Sequence, residues 1–311
     1  MMSEFEKIVS EIKKVINGKE SAIRIILCAI LANENVLIED IPGTGKTTLV
    51  KAFSKVLQLT SKRIQMTSDT LPSDITGYSI YNKEMEKFEF IKGPVFCNIL
   101  LADELNRTSG RTQSALLEAM EEHQVTVDGK TYKLDEPFSV IATQNPYGYV
   151  GTQQLPQAQL DRFSVKISLG YPSVDEEVNI LLNRRTENPL DKLDYVISKK
   201  EFEDMQNSVK EIFVNESIAR YIATLVNITR NSNYVECGGS PRVMVSVMNL
   251  SKAVAFSHNR NYVIPEDVKE IFVQAVSHRI TLKKEYKGKV TSESLMKNIL
   301  STTVMPGVQN A

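Results

Sequence analysis

Residues 36–48 read Val-Leu-Ile-Glu-Asp-Ile-Pro-Gly-Thr-Gly-Lys-Thr-Thr, and this stretch decides the fold. Asn35 to Glu39 is a short apolar strand, Pro42-Gly43-Thr44-Gly45 is a tight turn, and Leu49 to Leu57 has helical periodicity. Strand, glycine turn and helix open a βαβ unit. Glycines let the backbone fold closely enough for several N–H groups to face one point, and the helix starting near Gly45 adds its positive end. Such a cradle fits a polyphosphate. Lys46 would contact the β- and γ-phosphates, and the Thr47 hydroxyl would bind Mg2+. Pro42, Gly43, Thr44, Gly45, Lys46, Thr47 and Thr48 are the candidate nucleotide-binding residues. The pattern departs from a full P-loop once: Asp40 stands where the first glycine is expected.

Further along, Asn98 to Ala102 is an apolar strand that ends in Asp103-Glu104. Ligands of parallel sheets gather at the carboxyl ends of the strands. Asp103 would therefore reach the Mg2+ held by Thr47, acting through water, and Glu104 would polarise an attacking water as general base. Arg63 to Met66, Phe138 to Ala142 and Val165 to Leu169 complete five strands. Residues 3–33 read as two helices around Asn17-Gly18. Tyr78, Ile80, Phe88 and Phe90 alternate as in a small inserted hairpin, and Asp128-Gly129 favours a type I′ turn between Val125 and Leu134.

After Tyr171-Pro172 helical periodicity takes over, with Pro241 and Pro265 placed for the first turns of helices. The expected architecture is α/β: a P-loop core with a parallel five-stranded sheet flanked by helices over residues 1–172, then an all-helical lid over 173–311. An insert is expected at about 71–94 and a hairpin at about 124–134.

Bulk properties agree with a two-domain globular chain. It has 311 residues, 42% of them hydrophobic and 24% charged, and 37 basic residues balance 38 acidic ones. Such neutrality argues against a global pull toward nucleic acid or anionic membrane. Cys28, Cys97 and Cys237 lack the spacing of a metal site or disulfide framework, and His123, His258 and His278 show no metal-ligand spacing. The acidic start Met1 to Lys7 is unlike a secretion signal, and the longest apolar run, Ile23 to Leu31, is too short to span a bilayer. The expected location is cytoplasmic.

Residues 102–146 read ADELNRTSGRTQSALLEAMEEHQVTVDGKTYKLDEPFSVIATQNP, and 151–163 read GTQQLPQAQLDRF. With LIEDIPGTGKTTL at 37–49 and GGSPRV at 238–243, they closely resemble the MoxR-type AAA+ ATPases over about residues 10–285. The resemblance implies ATP as substrate, Mg2+ as cofactor and a ring of identical subunits, six by the family pattern. It implies that Asn145 orients the attacking water, that Arg162 is the finger reaching a neighbour's nucleotide, and that Arg242 is a second arginine directed at the γ-phosphate. An independent reason favours Arg242: with Ser240 capping a helix and Pro241 in its first turn, a cation sits at the positive helix end, where an anion would relieve it.

The resemblance also places Gly18 at the adenine, although Lys19 stands where glutamine is common in the family. The inserts would face the pore, with Tyr78, Tyr81 and Phe88 as candidate client contacts. The implied function is chaperone-like remodelling, assembly or cofactor and metal maturation of client proteins, with a separate von Willebrand factor A domain protein as possible partner. Two alternatives stay open: a nucleic-acid translocase of the related helicase clade, and an ATP-binding scaffold with little turnover.

Overall fold

The structure, a computed structural model, describes residues 2–41, 43–145, 154–183 and 189–305; Pro42, expected in the cradle, lies outside them. Helix α1 (Glu4–Lys13) is capped by the Ser3 hydroxyl, which accepts from the Glu6 N–H, and α2 (Glu20–Leu31) follows after Gly18. Strand β1 (Val36–Glu39) runs through the glycine turn into α3 (Lys46–Val56), so the helix begins directly after Gly45. Next come β2 (Ser61–Gln65) and a short α4 (Pro72–Thr76). Strands β3 (Gly77–Asn82) and β4 (Lys87–Lys92) form an antiparallel hairpin, the insert that the alternating aromatics predict.

Strand β5 (Ile99–Asp103) leads to α5 (Gly110–Glu122), and β6 (Gln124–Val127) pairs with β7 (Lys130–Lys133) in a second hairpin. Asp128 and Gly129 both take positive φ there, as the I′ turn requires. Phe90 of the first hairpin stacks on Tyr132 of the second, with ring centroids 4.0 Å apart. Strand β8 (Ser139–Gln144), the short α6 (Gln157–Leu160) and β9 (Val165–Ile167) complete the α/β part.

One sheet organises these elements. Its order is β2-β5-β8-β1-β9 and every pairing is parallel. Strand β5 is buried at every residue. That burial on both faces is why it reads as an unbroken apolar run rather than an alternating one. The C-terminal region comprises α7 (Val174–Asn183), α8 (Lys199–Glu211), α9 (Glu216–Asn231), α10 (Pro241–Ser257), α11 (Pro265–Val276) and α12 (Ser292–Thr302). It is helical as expected, with one addition: β10 (Val235–Cys237) pairs antiparallel with β11 (Thr281–Leu282). Among the described residues no helix is long and apolar enough to cross a membrane.

A continuous apolar core joins α1 and α2 to one face of the sheet and to the C-terminal helices, through residues such as Ile8, Leu27, Phe53, Phe202 and Phe272. A second core, around Leu100, Leu116 and Phe138, fills the other face. The two regions are also bonded at a buried polar seam. The Phe163 carbonyl, just before β9, accepts from the Arg279 Nε at 2.8 Å and lies 2.7 Å from the His278 Nε2, placing both side chains of the α11–β11 connection on the core. Burial, and then the charge of Arg279, hold the His278 pKa well below 6.5. The unfolded chain takes up this proton as the pH falls below about 6.5, whereas the folded chain resists it. Stability is therefore greatest above that pH and declines below it, by at most about 1.4 kcal/mol per pH unit from this group. Denaturant titrations between pH 7.5 and 5.5 check this: wild type should lose more stability than His278→Gln over that window.

Candidate nucleotide-binding site

Because β1, β5 and β8 are parallel neighbours, their carboxyl ends open on the same edge of the sheet. A cleft of about 310 Å3 lies there, lined by Gly43, Gly45, Lys46, Thr47, Thr48, Asp103, Glu104 and Asn145, together with Asp40, Arg63, Gln65, Thr143 and Gln144. Gly43 and Gly45 both have φ +89, and nothing lies within 4 Å of where a Cβ would stand. The backbone conformation, not crowding, is what calls for glycine at these two positions. Lys46 is only 9% exposed and donates to the carbonyls of Asp40 (3.0 Å) and Ile41 (2.9 Å). Burial lowers its pKa, opposed by the charges of Asp103, Asp40 and Glu104. The Thr44 hydroxyl donates to the Ile41 carbonyl (3.4 Å).

Asp40, the departure from the glycine pattern, has a structural role. Its carboxylate accepts from the Ser168 hydroxyl (2.8 Å) and from the N–H groups of Leu169 (2.5 Å) and Gly170 (3.2 Å). The start of the cradle is thereby tied to the segment just after β9.

The paired carboxylates are organised by one hydroxyl that the sequence did not single out. Thr143, 1% exposed on β8, donates to Asp103 Oδ1 at 2.6 Å and accepts from the Glu104 N–H at 2.9 Å. Glu104 has φ +57, a left-handed conformation that is costly for a residue with a side chain and is held here by that hydrogen bond. Arg63 of β2 donates to Asp103 Oδ2 from Nε (3.2 Å) and Nη2 (2.7 Å), and Arg107 Nη1 donates to Glu104 Oε2 at 2.6 Å. Asn145 lies at the mouth of the cleft, and its carbonyl accepts from the Asn106 side chain at 3.4 Å.

The groups present fit a Mg-nucleotide: a left-handed glycine cradle, a buried ammonium on carbonyls that a phosphate could replace, and a threonine hydroxyl, Thr47, lining the same cleft as the Asp103 carboxylate.

Three expected site residues lie elsewhere. Gly18 lines a separate cavity of about 500 Å3 with Lys19, Glu39, Lys166 and Lys297. The Glu176 carboxylate of α7 sits against it so closely that a Cβ there would collide with it. Arg162 and Arg242 line a third cavity of about 650 Å3, shared with Glu121, Asp161 and Arg279. Arg162 precedes β9, and the neighbouring Ser164 N–H bonds the Asn35 carbonyl just before β1 at 2.9 Å. Arg162 therefore belongs to the amino-end edge of the parallel sheet, opposite the cradle. The four residues of β1 alone separate the two edges by about 13 Å.

Arg242 does sit at the N-terminus of α10, where the expected anion is the Glu121 carboxylate, 2.6 Å away. The reading of Ser240 as a side-chain cap is corrected: it occupies the cap position, but its hydroxyl bonds Asp161 instead, at 3.1 and 2.9 Å from the two oxygens. Arg63, Thr143 and Glu121 were missed because each acts across the fold on a residue distant in sequence.

A model described as "ATPase family associated with various cellular activities (AAA)" matches residues 35–165, and one described as "AAA lid domain" matches 227–299. The chain is 35% identical to Chaperone MoxR1 of Mycobacterium tuberculosis, over 97% of this chain and 82% of that protein. The chain belongs to the MoxR family of AAA+ ATPases. It is also 45% identical to YeaC of Bacillus subtilis, a protein named as uncharacterised, over 98% of this chain and 96% of that one. A solved structure of a candidate ATPase from Cytophaga hutchinsonii superposes with a TM-score of 0.90 at 36% identity, covering 97% of this chain and 95% of that one. Family membership accounts for the sheet order, the glycine cradle and the helical region as parts of one ATPase fold.

Restoring the missing glycine should harm this MoxR-family chain rather than improve it. Asp40→Gly removes a carboxylate with three donors, so it should cost about 2 kcal/mol of stability and weaken nucleotide binding. Urea unfolding and a fluorescent-nucleotide titration check both.

Proposed function

We propose that this chain hydrolyses ATP at the boundary between subunits of a ring and uses the cycle to remodel, assemble or mature client proteins. The observation that carries the reading is the separation of the charged groups. The cradle, Asp103, Glu104 and Asn145 share the carboxyl edge of the sheet, while Arg162 and Arg242 are paired at the other edge. Facing away from the chain's own cradle, that arginine pair is poised to meet the nucleotide of another copy.

In this reading Gly43, Thr44, Gly45, Lys46, Thr47 and Thr48 hold the phosphates, with Lys46 exchanging the carbonyls of Asp40 and Ile41 for phosphate oxygens. Pro42, which shapes the turn in the sequence pattern, is proposed with them. Thr47 and Asp103 would hold Mg2+, which supplies charge neutralisation when bound. Glu104 orients and deprotonates the water, and Asn145 helps to align it. Thr143 keeps Asp103 and Glu104 in register with one another. Arg162 and Arg242 of the adjoining subunit meet the charge that builds on the leaving γ-phosphate. Gly18, with no room for a side chain beside Glu176, is proposed at the adenine end.

The chain is divided in this proposal at residue 172, into a nucleotide-binding domain (1–172) and a lid (173–311). The insert at 71–94 and the hairpin at 124–134 are the proposed client-facing parts. Tyr78, Tyr81 and Phe88 are exposed, Phe88 at 74%, which suits transient apolar contact with a client. A separate chain with a von Willebrand factor A domain is the proposed partner class.

Turnover per subunit should rise with protein concentration in wild type. Glu104→Gln should lower it at least about 100-fold with ATP still bound, and Arg162→Ala about 1000-fold. A phosphate-release assay across a concentration series reads all three. A rate independent of concentration and insensitive to Arg162→Ala would contradict the shared site.

A further inference from the structure

Arg162 and Arg242 are like charges held side by side. After burial, the charge of Arg242 is the cause that lowers the Arg162 pKa. Two adjoining guanidinium groups repel one another and splay unless an anion lies between them. Glu121 supplies that anion. Its Oε2 pairs with Arg162 Nη1 and its Oε1 with Arg242 Nη1, the latter at 2.6 Å. One carboxylate thus engages one nitrogen of each arginine. A guanidinium has five N–H donors, so each keeps donors for a second anion. Asp161, the neighbouring carboxylate, is engaged by the Ser240 hydroxyl.

The helix that carries Glu121 is anchored at its far end. Glu121 lies in the last turn of α5, whose first turn is bonded at several points. The Ser109 hydroxyl accepts from the Thr112 N–H at 3.3 Å, and the Thr112 hydroxyl donates to the Thr70 carbonyl at 2.7 Å. The Gln113 amide donates to the carbonyls of Leu105 (3.3 Å) and Thr108 (3.1 Å), in the segment that follows Glu104. The thirteen residues of α5 span about 20 Å, from the catalytic-glutamate loop to the arginine pair. Arg242 is the more exposed of the two, at 55% of its side chain against 25% for Arg162, and comes from a different part of the chain. The start of α10 is tied to the neighbouring Asp161 through Ser240, and the Glu121 carboxylate links the two guanidinium groups themselves.

We infer that Glu121 is a positioning residue whose carboxylate fastens Arg162 and Arg242 into one unit aimed at the terminal phosphate of a neighbouring subunit's nucleotide. The inference rests on the shared-site reading above. Holding the two groups together removes the freedom each would otherwise lose on engaging phosphate, and a misplacement of about 1 Å in such a group costs on the order of 100-fold in rate.

The test is Glu121→Gln, which keeps the shape and removes the charge. It is assayed alone and mixed with Glu104→Gln or with Arg162→Ala, alongside binding of a fluorescent ATP analogue and thermal unfolding. Alone, it should turn over 10- to 100-fold more slowly than wild type, with analogue affinity within about twofold and an unchanged unfolding temperature. Glu104→Gln, which has intact arginines, should restore its turnover, and Arg162→Ala, which lacks the finger, should not. A variant damaged merely in folding would show weaker analogue binding or earlier unfolding, and Glu104→Gln would not rescue it.

Wild-type turnover by Glu121→Gln, while Arg162→Ala is inactive, overturns the inference and leaves the shared site standing. Faster turnover would make Glu121 a restraining latch, and rescue by Arg162→Ala would place its action in its own cleft; either also overturns it. Full activity in Arg162→Ala itself would sink the shared-site reading, and this inference with it.

Discussion

A parallel sheet sends the carboxyl ends of all its strands to one edge, and the rest of this structure depends on that directional constraint. The order β2-β5-β8-β1-β9 brings the glycine turn after β1, Asp103 and Glu104 after β5 and Asn145 after β8 to one cleft. It equally sends whatever precedes a strand to the opposite edge. Arg162 precedes β9, so no rotamer of its side chain can bring it to its own cradle. Reach is limiting here, since a side chain of a few ångströms cannot cross a strand of about 13 Å. In the proposed two-subunit site, that geometry is what makes a second copy necessary.

The charged groups of the cleft and of the arginine cluster have partners within the single chain. Asp103 is paired with Arg63, Glu104 with Arg107, Glu121 with both Arg162 and Arg242, and Lys46 with backbone carbonyls. Asp103 is buried, whereas Arg107 and Glu104 are both partly open, and open ion pairs of that kind are worth only about 0–1 kcal/mol. The Arg107–Glu104 pair is therefore inexpensive to exchange, whereas in the proposed arrangement Glu121 stays with both arginines while they engage phosphate. Asp40 differs: its three donors are fixed parts of the framework after β9, and it positions the cradle without taking part in exchange.

The local half of this design was legible in the sequence. The glycine turn between strand and helix, the apolar run ending in Asp103-Glu104 and the Asp128-Gly129 turn are short-range signals, and each gave its element to within a few residues. What acts across the fold was not. Arg63 meets Asp103 forty positions away and Asp40 meets Leu169 across 129, and neither partner is marked by spacing. Thr143 looks like an ordinary strand residue until the β5–β8 register puts it between Asp103 and Glu104. Ser240 has the composition of a cap, yet its hydroxyl is turned to donate to Asp161 and accepts no N–H of α10. The β10–β11 pair is too short for any alternation to show, so that stretch read as helix connections.

The central claim is that the arginine pair completes a neighbour's site. The most direct measurement mixes two inactive variants, Glu104→Gln and the double variant Arg162→Ala/Arg242→Ala, and follows phosphate release. The account predicts that activity returns on mixing, because the first supplies the arginines and the second the glutamate. Two inactive variants that stay inactive when mixed, while still assembling together and binding ATP, would contradict it.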